Sequence, residues 1–336
     1  MREIEDLNNK IKKIVQEKLF TKCIDFKKIE TGLFNDTYII KLDHVLDEIA
    51  SQPINNDEII IRIAPPEDAG FLFYEKNMMA QEPSIHSILL EKTSVPVPRI
   101  YFYDNSKSIL DRGFLIMEKL EGTTLSQAYW ATKNIRNKVF KQMGVLLKEI
   151  HQIHEVKYGY LGEHHPMEPQ ETWWDAFSIM WKKMLRDIYN CKFYTKKEVK
   201  RFEALLEQSK SHFQVREGIP SSLLHMDVWA QNILINKKGE ITGVVDWDRA
   251  LWGDPEIEFA VLDYCGISYP PFWEGYGLER NENLSLRVRD LFYLLYEHQK
   301  YIPINVWRRK NLPRAQAYKN DCIRLFSKLG ELLGNI

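Results

Sequence analysis

Three polar residues in one short stretch of the chain could bind a metal ion and activate a hydroxyl group. Asp227 and Asn232 stand five residues apart, and Asp246 follows fourteen residues after Asn232 at the end of an apolar run. A carboxylate can accept or orient the proton of a hydroxyl, and carboxylate and amide oxygens are hard ligands that suit Mg²⁺. Phosphoryl transfer needs these parts and little covalent help from the protein. The spacing therefore predicts a site for phosphoryl transfer.

The elements that must position these residues are short strands. A β-hairpin is predicted from Asn232 to Ile235 and from Ile241 to Val245, turning at a Lys-Lys-Gly segment. Asn232 begins its first strand, Asp246 follows its second strand, and Asp227 lies on the loop that leads into it. The alternative interpretation is a polar loop of Asx turns with surface acids. The apolar strand and the sequence Val-Val-Asp-Trp-Asp at its end favour the functional interpretation.

Composition limits what kind of protein this is. The chain has 336 residues, of which 44% are hydrophobic and 28% are charged, as in a folded protein of two lobes or domains. Lys and Arg total 46 against 47 Asp and Glu, so no net field attracts nucleic acid or an anionic membrane. We therefore expect neither partner, and the sequence leaves monomer and homodimer open.

Cysteines and apolar runs indicate the compartment. The four cysteines are scattered without a Cys-x-x-Cys pair, which favours reduced thiols over a zinc site or disulfides. The N-terminus lacks a signal-peptide pattern, and no apolar run approaches the roughly 18 residues of a membrane span. The expectation is a cytoplasmic protein.

The hydrophobic pattern changes character at Gly122. Before it, short β-branched runs alternate with two amphipathic helices; after it, helical periodicity dominates and strands are expected only in the hairpin. The predicted early elements are a helix over 4–15, strands within 26–40 and over 58–63, a helix over 77–90, and strands over 99–103 and 113–117. The polar segment 43–57 is predicted to be a surface excursion.

The chain resembles the aminoglycoside phosphotransferase and choline kinase group of protein-kinase-like small-molecule kinases. Three segments carry the likeness: the loop His225-Met-Asp-Val-Trp-Ala-Gln-Asn232, the segment Val244-Val-Asp-Trp-Asp248, and Gly253-Asp-Pro-Glu-Ile-Glu-Phe-Ala260. The resemblance implies an α+β, two-lobed protein-kinase-like fold. It divides the chain into a small β-rich nucleotide-binding lobe at 1–117, a hinge at 118–122, and a larger, mainly helical lobe at 123–336 with the catalytic loop and acceptor site.

By this resemblance, residue roles around the hairpin can be assigned. Asp227 becomes the catalytic acid/base and His225 braces the catalytic loop. Asn232 and Asp246 become ligands of Mg²⁺, with Asp248 as an additional ligand or a support. The implied phosphate donor is ATP, with GTP left open.

The first lobe supplies the implied nucleotide-binding residues. The turn containing Thr31, Gly32, Phe34 and Asn35 would cover the phosphates, and the Glu118 carbonyl with the Leu120 amide would pair with the base. Arg62 takes the place of the phosphate-binding Lys of protein kinases, and a buried cation needs an acidic partner. Glu82 is the expected partner and Glu75 the alternative.

The sequence departs from the family pattern at three positions. Met226 and Val228 replace residues that are commonly Gly and Leu, and Glu258 stands where relatives often have Asp. None of these changes removes a reactive group, so they bear on substrate geometry more than on catalysis.

The acceptor is not determined by the motifs. Acids that could form a pocket for a polycationic aminoglycoside are Glu256, Glu258, Asp263, Glu274 and Glu279. Basic residues that would suit a neutral or anionic acceptor are Arg308, Arg309, Lys310 and Arg314. Aromatic residues that could line the pocket are Trp173, Trp174, Tyr264, Tyr269, Phe272, Trp273 and Tyr276. Solvated charge and core packing remain the simpler explanations of all three groups.

The leading hypothesis is an ATP- and Mg²⁺-dependent O-phosphotransferase that acts on a hydroxyl of a small molecule, such as an aminoglycoside or a related sugar or natural product. The alternatives are a kinase of a primary metabolite such as choline, homoserine or a sugar, and a pseudokinase that binds a nucleotide without catalysis. A protein kinase is disfavoured, because no Asp-Phe-Gly or Ala-Pro-Glu segment follows the catalytic loop.

Overall fold

A five-stranded antiparallel sheet and a large set of helices make up the protein. The computed structural model describes residues 2–29, 34–46, 48–49, 52–53, 57–214, 218–279 and 283–334. The strands are β1 (Cys23–Ile29), β2 (Asp36–Leu42), β3 (Glu48–Ile49), β4 (Gln52–Pro53), β5 (Glu58–Ile63), β6 (Ile100–Asp104), β7 (Phe114–Glu118), β8 (Thr123–Thr124), β9 (His154–Glu155), β10 (Ser221–Leu224), β11 (Ile233–Ile235), β12 (Ile241–Val244) and β13 (Leu251–Gly253).

Ten α-helices lie in the described part of the chain. They are α1 (Arg2–Leu19), α2 (Glu82–Lys92), α3 (Lys133–His151), α4 (Trp173–Asn190), α5 (Lys196–Gln208), α6 (Lys210–Gln214), α7 (Pro255–Cys265), α8 (Pro270–Tyr276), α9 (Leu284–Pro303) and α10 (Leu312–Leu332). A 3₁₀ turn, Met78–Gln81, precedes α2, and a π-helical turn, Ile304–Arg308, follows α9. No helix in the described ranges is long and apolar enough to cross a bilayer.

The sheet, in the order β1-β2-β5-β7-β6, presents different residues to its two faces. Side chains alternate along a strand, so Ile59, Ile61 and Ile63 point to one side, where they pack in a core with α1. Ile60 and Arg62 then point to the other side, and both line the cleft described below. Strand β5 therefore delivers a cation to the cleft while anchoring the sheet.

The helical part is built around α9 and is rich in aromatic residues. The rings of Phe177, Phe213 and Tyr293 pack against each other with centroids 5.2 to 6.0 Å apart. Trp173 donates a hydrogen bond of 2.6 Å to the Tyr293 hydroxyl, which in turn donates to Asp254 at 2.9 Å. This core fixes the start of α7, which is the helix that lies beneath the loop containing Asp227.

The two-lobed α+β fold predicted from the sequence is confirmed. Strand β5 has the predicted bounds, and the run predicted within 26–40 lies across β1 and β2. The predicted excursion 43–57 contains the short pair β3 and β4. The lobe boundaries at 117 and 122 stay a prediction.

One prediction about the strands was wrong. Strands were expected after Gly122 only in the hairpin, but β10 also pairs with β13 and with β9, and β8 pairs with β11. These strands have two to four residues, which is too short for an alternating pattern to be recognised. All four residues of β10 are buried, so polar and apolar residues do not alternate along it.

Gly122, at the end of the segment between the sheet and the helices, has a backbone that only glycine adopts readily. Its φ is +132°, and a Cβ there would lie 2.5 Å from the Thr242 hydroxyl and 3.2 Å from the Ile235 carbonyl oxygen. We expect Gly122→Ala to lower the free energy of unfolding by about 2 kcal/mol in urea denaturation. The matched control is Gly218→Ala, where φ is +76° and no atom of the described residues lies within 4 Å of an added Cβ. Equal losses in both variants would contradict the packing argument.

Candidate active site

His225 holds the loop that follows β10. Its side chain is fully buried, with Nδ1 accepting a 3.2 Å hydrogen bond from the Asp227 amide and Nε2 donating to the Val245 carbonyl at 3.1 Å. A single neutral tautomer satisfies both bonds. The ring also packs on Trp247 at a centroid distance of 4.2 Å. His225 thus ties the loop of Asp227 to the strand end that carries Asp246.

Asp227 is held from two sides. Arg249 Nη1 donates to Asp227 Oδ1 at 2.5 Å, and the Asn232 amide donates to Oδ2 at 3.2 Å and to the Asp227 carbonyl at 2.9 Å. Burial raises the pKa of this carboxyl, but the positive charges of Arg249 and Lys300 outweigh burial and leave the pKa below its ordinary value. Asp227 is therefore an ionised hydrogen-bond acceptor at neutral pH.

Arg62 lies at the centre of a second cluster. Its Nη1 donates to both carboxylate oxygens of Glu82 at 2.7 and 2.8 Å. Its Nη2 donates to Asp246 Oδ1 and, at 2.7 Å, to Asp248 Oδ2. The expected partner Glu82 is present, while the alternative, Glu75, pairs with Arg308 at 2.9 Å instead. Arg62 thereby links the sheet, α2 and the end of the hairpin.

This cluster holds more negative than positive charge. Glu82, Asp246 and Asp248 surround the single guanidinium of Arg62. Burial raises the pKa of Glu82 to about 7 despite the attraction of Arg62, and burial together with Asp246 raises that of Asp248. A divalent cation would offset this excess of carboxylates.

The oxygen atoms of this cluster suit Mg²⁺ better than a transition metal. No group of three or more His, Cys, Asp or Glu in the described ranges forms an all-protein metal cage. Mg²⁺ usually takes one or two carboxylates plus the phosphates of a nucleotide, so Asp246 and the amide oxygen of Asn232 are a suitable set. The Asp246 side chain is 36% exposed, whereas that of Asp248 is 3% exposed. Asp246 is thus the accessible carboxylate, and Asp248 lies behind it.

Of the predicted phosphate-covering turn, Thr31 and Gly32 lie outside the described residues. Asn35 is buried, and its amide donates to Asp248 Oδ2 at 2.9 Å, so it supports the carboxylate cluster. Phe34 lines the cleft and lies under the guanidinium of Arg308, 4.8 Å from its ring centroid.

Both residues predicted to meet the base, Glu118 and Leu120, line the same cleft. The Glu118 side chain is turned to Arg99, with an ion pair of 3.3 Å, so only its backbone is suited to pairing with a base. Within the described ranges, no group accepts a hydrogen bond from the Leu120 amide. That amide is therefore suited to a ligand, and the assignment of base-pairing groups stays a prediction.

Most of the predicted site residues line one cleft of about 1170 Å³, whereas His225 is buried behind it. The sheet contributes Arg62 and Met117, the catalytic loop contributes Asp227 and Asn232, and the C-terminal helices contribute further residues. Typical pockets for small molecules have volumes of roughly 300 to 1,000 Å³, so this cleft is larger than a nucleotide alone needs. The cleft has room for a second, smaller molecule next to Asp227.

Three supporting residues were not found from the sequence. Arg249 holds Asp227, and Gln81 donates to the backbone carbonyls of Asp248 and Ala250 at 2.5 and 3.2 Å. Glu258 is fully buried and accepts hydrogen bonds from the amides of His225 and Met226 at 3.2 and 2.6 Å. The position of Arg249 next to the metal-binding segment was a usable signal, but Gln81 and Glu258 act across contacts between distant elements.

Most of the acids and aromatic residues that could have formed an acceptor pocket lie elsewhere, in agreement with the simpler explanations of solvated charge and core packing. None of the proposed acids lines the cleft; Glu258 lies beneath the catalytic loop, and Glu274 pairs with Lys141 at 3.3 Å. Among the proposed aromatic residues Tyr264 lines the cleft, whereas Trp173, Trp174 and Phe272 are buried in the core. Charge and aromaticity alone do not tell which face of a helix turns inward.

Comparison with known proteins places this geometry in a family. The sequence profile of APH, the phosphotransferase enzyme family, matches residues 29–291. Among curated proteins, no match was found. A solved structure of a candidate fructosamine-3-kinase from Haemophilus somnus 129PT is similar with a TM-score of 0.63 and 20% identity, covering 95% of this chain and 96% of that chain.

Two aminoglycoside phosphotransferase structures are also similar, each at 17% identity. The gentamicin complex of APH(2")-IIa has a TM-score of 0.61 and covers 94% of both chains. The complex of a thermostable APH(4)-Ia mutant with AMP-PNP and hygromycin B has a TM-score of 0.60 and covers 95% of this chain and 98% of that chain. At these identities the structures establish the protein-kinase-like fold. The profile covers most of the chain, and the chain therefore belongs to the phosphotransferase enzyme family.

Proposed function

We propose that the protein is an ATP- and Mg²⁺-dependent O-phosphotransferase that transfers the γ-phosphate to a hydroxyl group of a small molecule. The observation that carries the proposal is the meeting of Asp227 with the Arg62 and Asp246 cluster in one cleft. An acceptor hydroxyl bound beside Asp227 and phosphates bound beside Asp246 would then face each other. The similar structures that hold AMP-PNP with hygromycin B, or gentamicin, support this arrangement.

In the proposed reaction each residue has one task. Asp227 accepts a hydrogen bond from the acceptor hydroxyl and takes its proton as the hydroxyl oxygen bonds to the γ-phosphorus, while the bond from this phosphorus to the bridging oxygen breaks and ADP leaves. Asn232 and Asp246 would hold Mg²⁺, which would supply positive charge to the phosphates. Arg62, kept in place by Glu82, adds a second positive charge on the same side.

The non-catalytic alternative is less consistent with the site. Asp227 is ionised, held by Arg249 and Asn232, and open to a cleft with room for an acceptor. A protein that only binds a nucleotide has no need of such a carboxylate.

Calorimetry with Mg-ATP and Mg-GTP, followed by ADP-release assays with aminoglycosides, sugars, nucleosides and choline-like alcohols, tests the proposal. Nucleotide binding without release for any acceptor would favour the binding module.

Asp246→Asn should separate metal binding from folding. Asn tolerates the left-handed backbone at this position, where φ is +72°, so the change removes charge with little strain. We expect Mg-ATP to bind at least about tenfold more weakly in calorimetry, while ATP measured in EDTA binds equally to variant and parent. Asp111→Asn, on a side chain that is 82% exposed, is the control. Unchanged Mg-ATP affinity would exclude Asp246 as a metal ligand.

A further inference from the structure

Three tyrosines form an apolar wall at the end of the cleft made by α7, α9 and α10. We call Tyr264, Tyr301 and Tyr318 the tyrosine wall. The ring of Tyr301 stacks on Tyr264 at 5.3 Å and on Tyr318 at 4.9 Å, and the hydroxyls of Tyr264 and Tyr318 are 2.7 Å apart. All three residues line the cleft. The mutual packing holds the three rings in place. Tyr318 is buried, whereas Tyr264 and Tyr301 are half-buried, so these two present the wall to a ligand in the cleft.

The tyrosine wall and the proposed catalytic carboxylate line the same cleft. Lys300 also lines this cleft, and its Nζ lies 4.9 Å from the centroid of the neighbouring Tyr301 ring. A molecule bound against the wall would therefore share the cleft with Asp227.

The carboxylates along the cleft already have cationic partners. Glu75 pairs with Arg308 at 2.9 Å, Asp227 with Arg249 at 2.5 Å, and Glu118 with Arg99 at 3.3 Å. Glu82, Asp246 and Asp248 share Arg62. Outside the Arg62 cluster, where the proposed Mg²⁺ would bind, an ammonium group of a ligand would have to displace one of these partners.

Basic side chains outnumber acidic ones along the cleft. Arg308 and Arg309 come from the turn after α9, which also carries Tyr301 near its end, and Arg309 is exposed. Both lie in the basic segment seen in the sequence, and both line the cleft. Guanidinium groups pair with carboxylates and phosphates through two parallel hydrogen bonds.

We propose that the acceptor is a hydroxyl compound with a flat apolar face and an anionic group, and not a polycationic aminoglycoside. The inference rests on the proposed function and specifies its substrate class. The flat face lies against the tyrosine wall, and the anionic group meets Arg309. A polycation would meet more basic than acidic side chains along the cleft.

A charge series on one scaffold tests the proposal. The probes are 4-methylumbelliferyl glucuronide, glucoside and 2-amino-2-deoxyglucoside, which share a planar ring and sugar hydroxyls but differ in charge. Their affinities are measured by calorimetry on the Mg-AMP-PNP-loaded protein at about pH 6, where the amine is protonated. We expect the affinity to decrease in the order glucuronide, glucoside, aminoglucoside. Kd should rise about fivefold for each unit of positive charge added, and the differences should be smaller at high salt.

Arg309→Gln should weaken the glucuronide about fivefold and leave the glucoside unchanged. The matched control is Arg324→Gln, which removes one positive charge from a side chain that is 75% exposed on α10 and outside the cleft lining. The reverse order, equal affinities, or no binding of any probe at about 10 mM would overturn the proposal.

Failure of this inference is distinguishable from failure of the proposed function. Mg-AMP-PNP binding and ADP release with any acceptor report on the phosphotransferase, whatever the charge of the probe. Efficient ADP release with kanamycin or gentamicin would retain the phosphotransferase and overturn the anionic acceptor. Absence of nucleotide binding would remove both.

Discussion

Asp227→Asn will lower kcat for acceptor-dependent ADP release by about 10²- to 10⁴-fold, the range for loss of a positioned general base. An amide has nearly the shape of a carboxylate, but it cannot take the acceptor proton. The Mg-ATP affinity should fall far less than kcat, because the Arg62 and Asp246 cluster is a separate set of contacts and Asn232 keeps its hydrogen bond to the Asp227 carbonyl. ADP release and calorimetry on the same preparation measure the two effects.

The control and the pH profile make this test specific. Asp111→Asn makes the same chemical change on an exposed side chain and should leave kcat unchanged. Arg249 and Lys300 hold the pKa of Asp227 below its ordinary value, so kcat/KM should show no acidic limb from this group above about pH 5. Normal turnover by Asp227→Asn would refute the role of Asp227 and the proposed function with it.

The sequence predicted those parts of the site that depend on short-range spacing. Asp227 and Asn232 belong to one loop, so their hydrogen bond follows from a five-residue spacing. The Arg62 and Glu82 pair connects two elements, yet it was predictable because a cation inside an apolar strand needs a buried acid. In both cases local chemistry restricted the partners to very few residues.

Contacts between distant helices were not predictable in the same way. Acids that could form an acceptor pocket can be named from the sequence, but the helix face that turns inward depends on how α7, α9 and α10 pack together. Lys300 and Tyr301 near the end of α9 line the cleft. The helical apolar pattern of α9 does not show which of its residues face the cleft. A buried charged residue such as Glu258 looks like a surface residue until its partners are known.

Glu258 has the largest expected effect on stability. Its carboxylate accepts hydrogen bonds from the amides of His225 and Met226, and His151 Nε2 donates to it at 2.9 Å. Met226 has a left-handed backbone with φ of +64°, so its amide points at the carboxylate through a conformation that is unfavourable for Met. One residue therefore fixes the shape of the catalytic loop from below.

We expect Glu258→Ala to lower the free energy of unfolding by about 3 kcal/mol or more, because three buried donors lose their acceptor. Urea denaturation measures the loss. Glu274→Ala, at a side chain that is 63% exposed and paired with Lys141, should change stability by less than about 0.5 kcal/mol. A stability for Glu258→Ala equal to that of Glu274→Ala would show that the loop keeps its shape without the buried carboxylate.

Glu258→Asp then separates positioning from folding. The shorter carboxylate keeps the charge and part of the hydrogen bonding, so the protein should fold, but it cannot reach the amides of both His225 and Met226 in their present places. A shift of the loop moves Asp227 relative to the phosphates, and near-attack geometry is sensitive to displacements of about 1 Å. We expect kcat to fall about tenfold or more while the Kd for Mg-ATP changes less. Parallel losses in kcat and Mg-ATP affinity would instead assign Glu258 a general structural role.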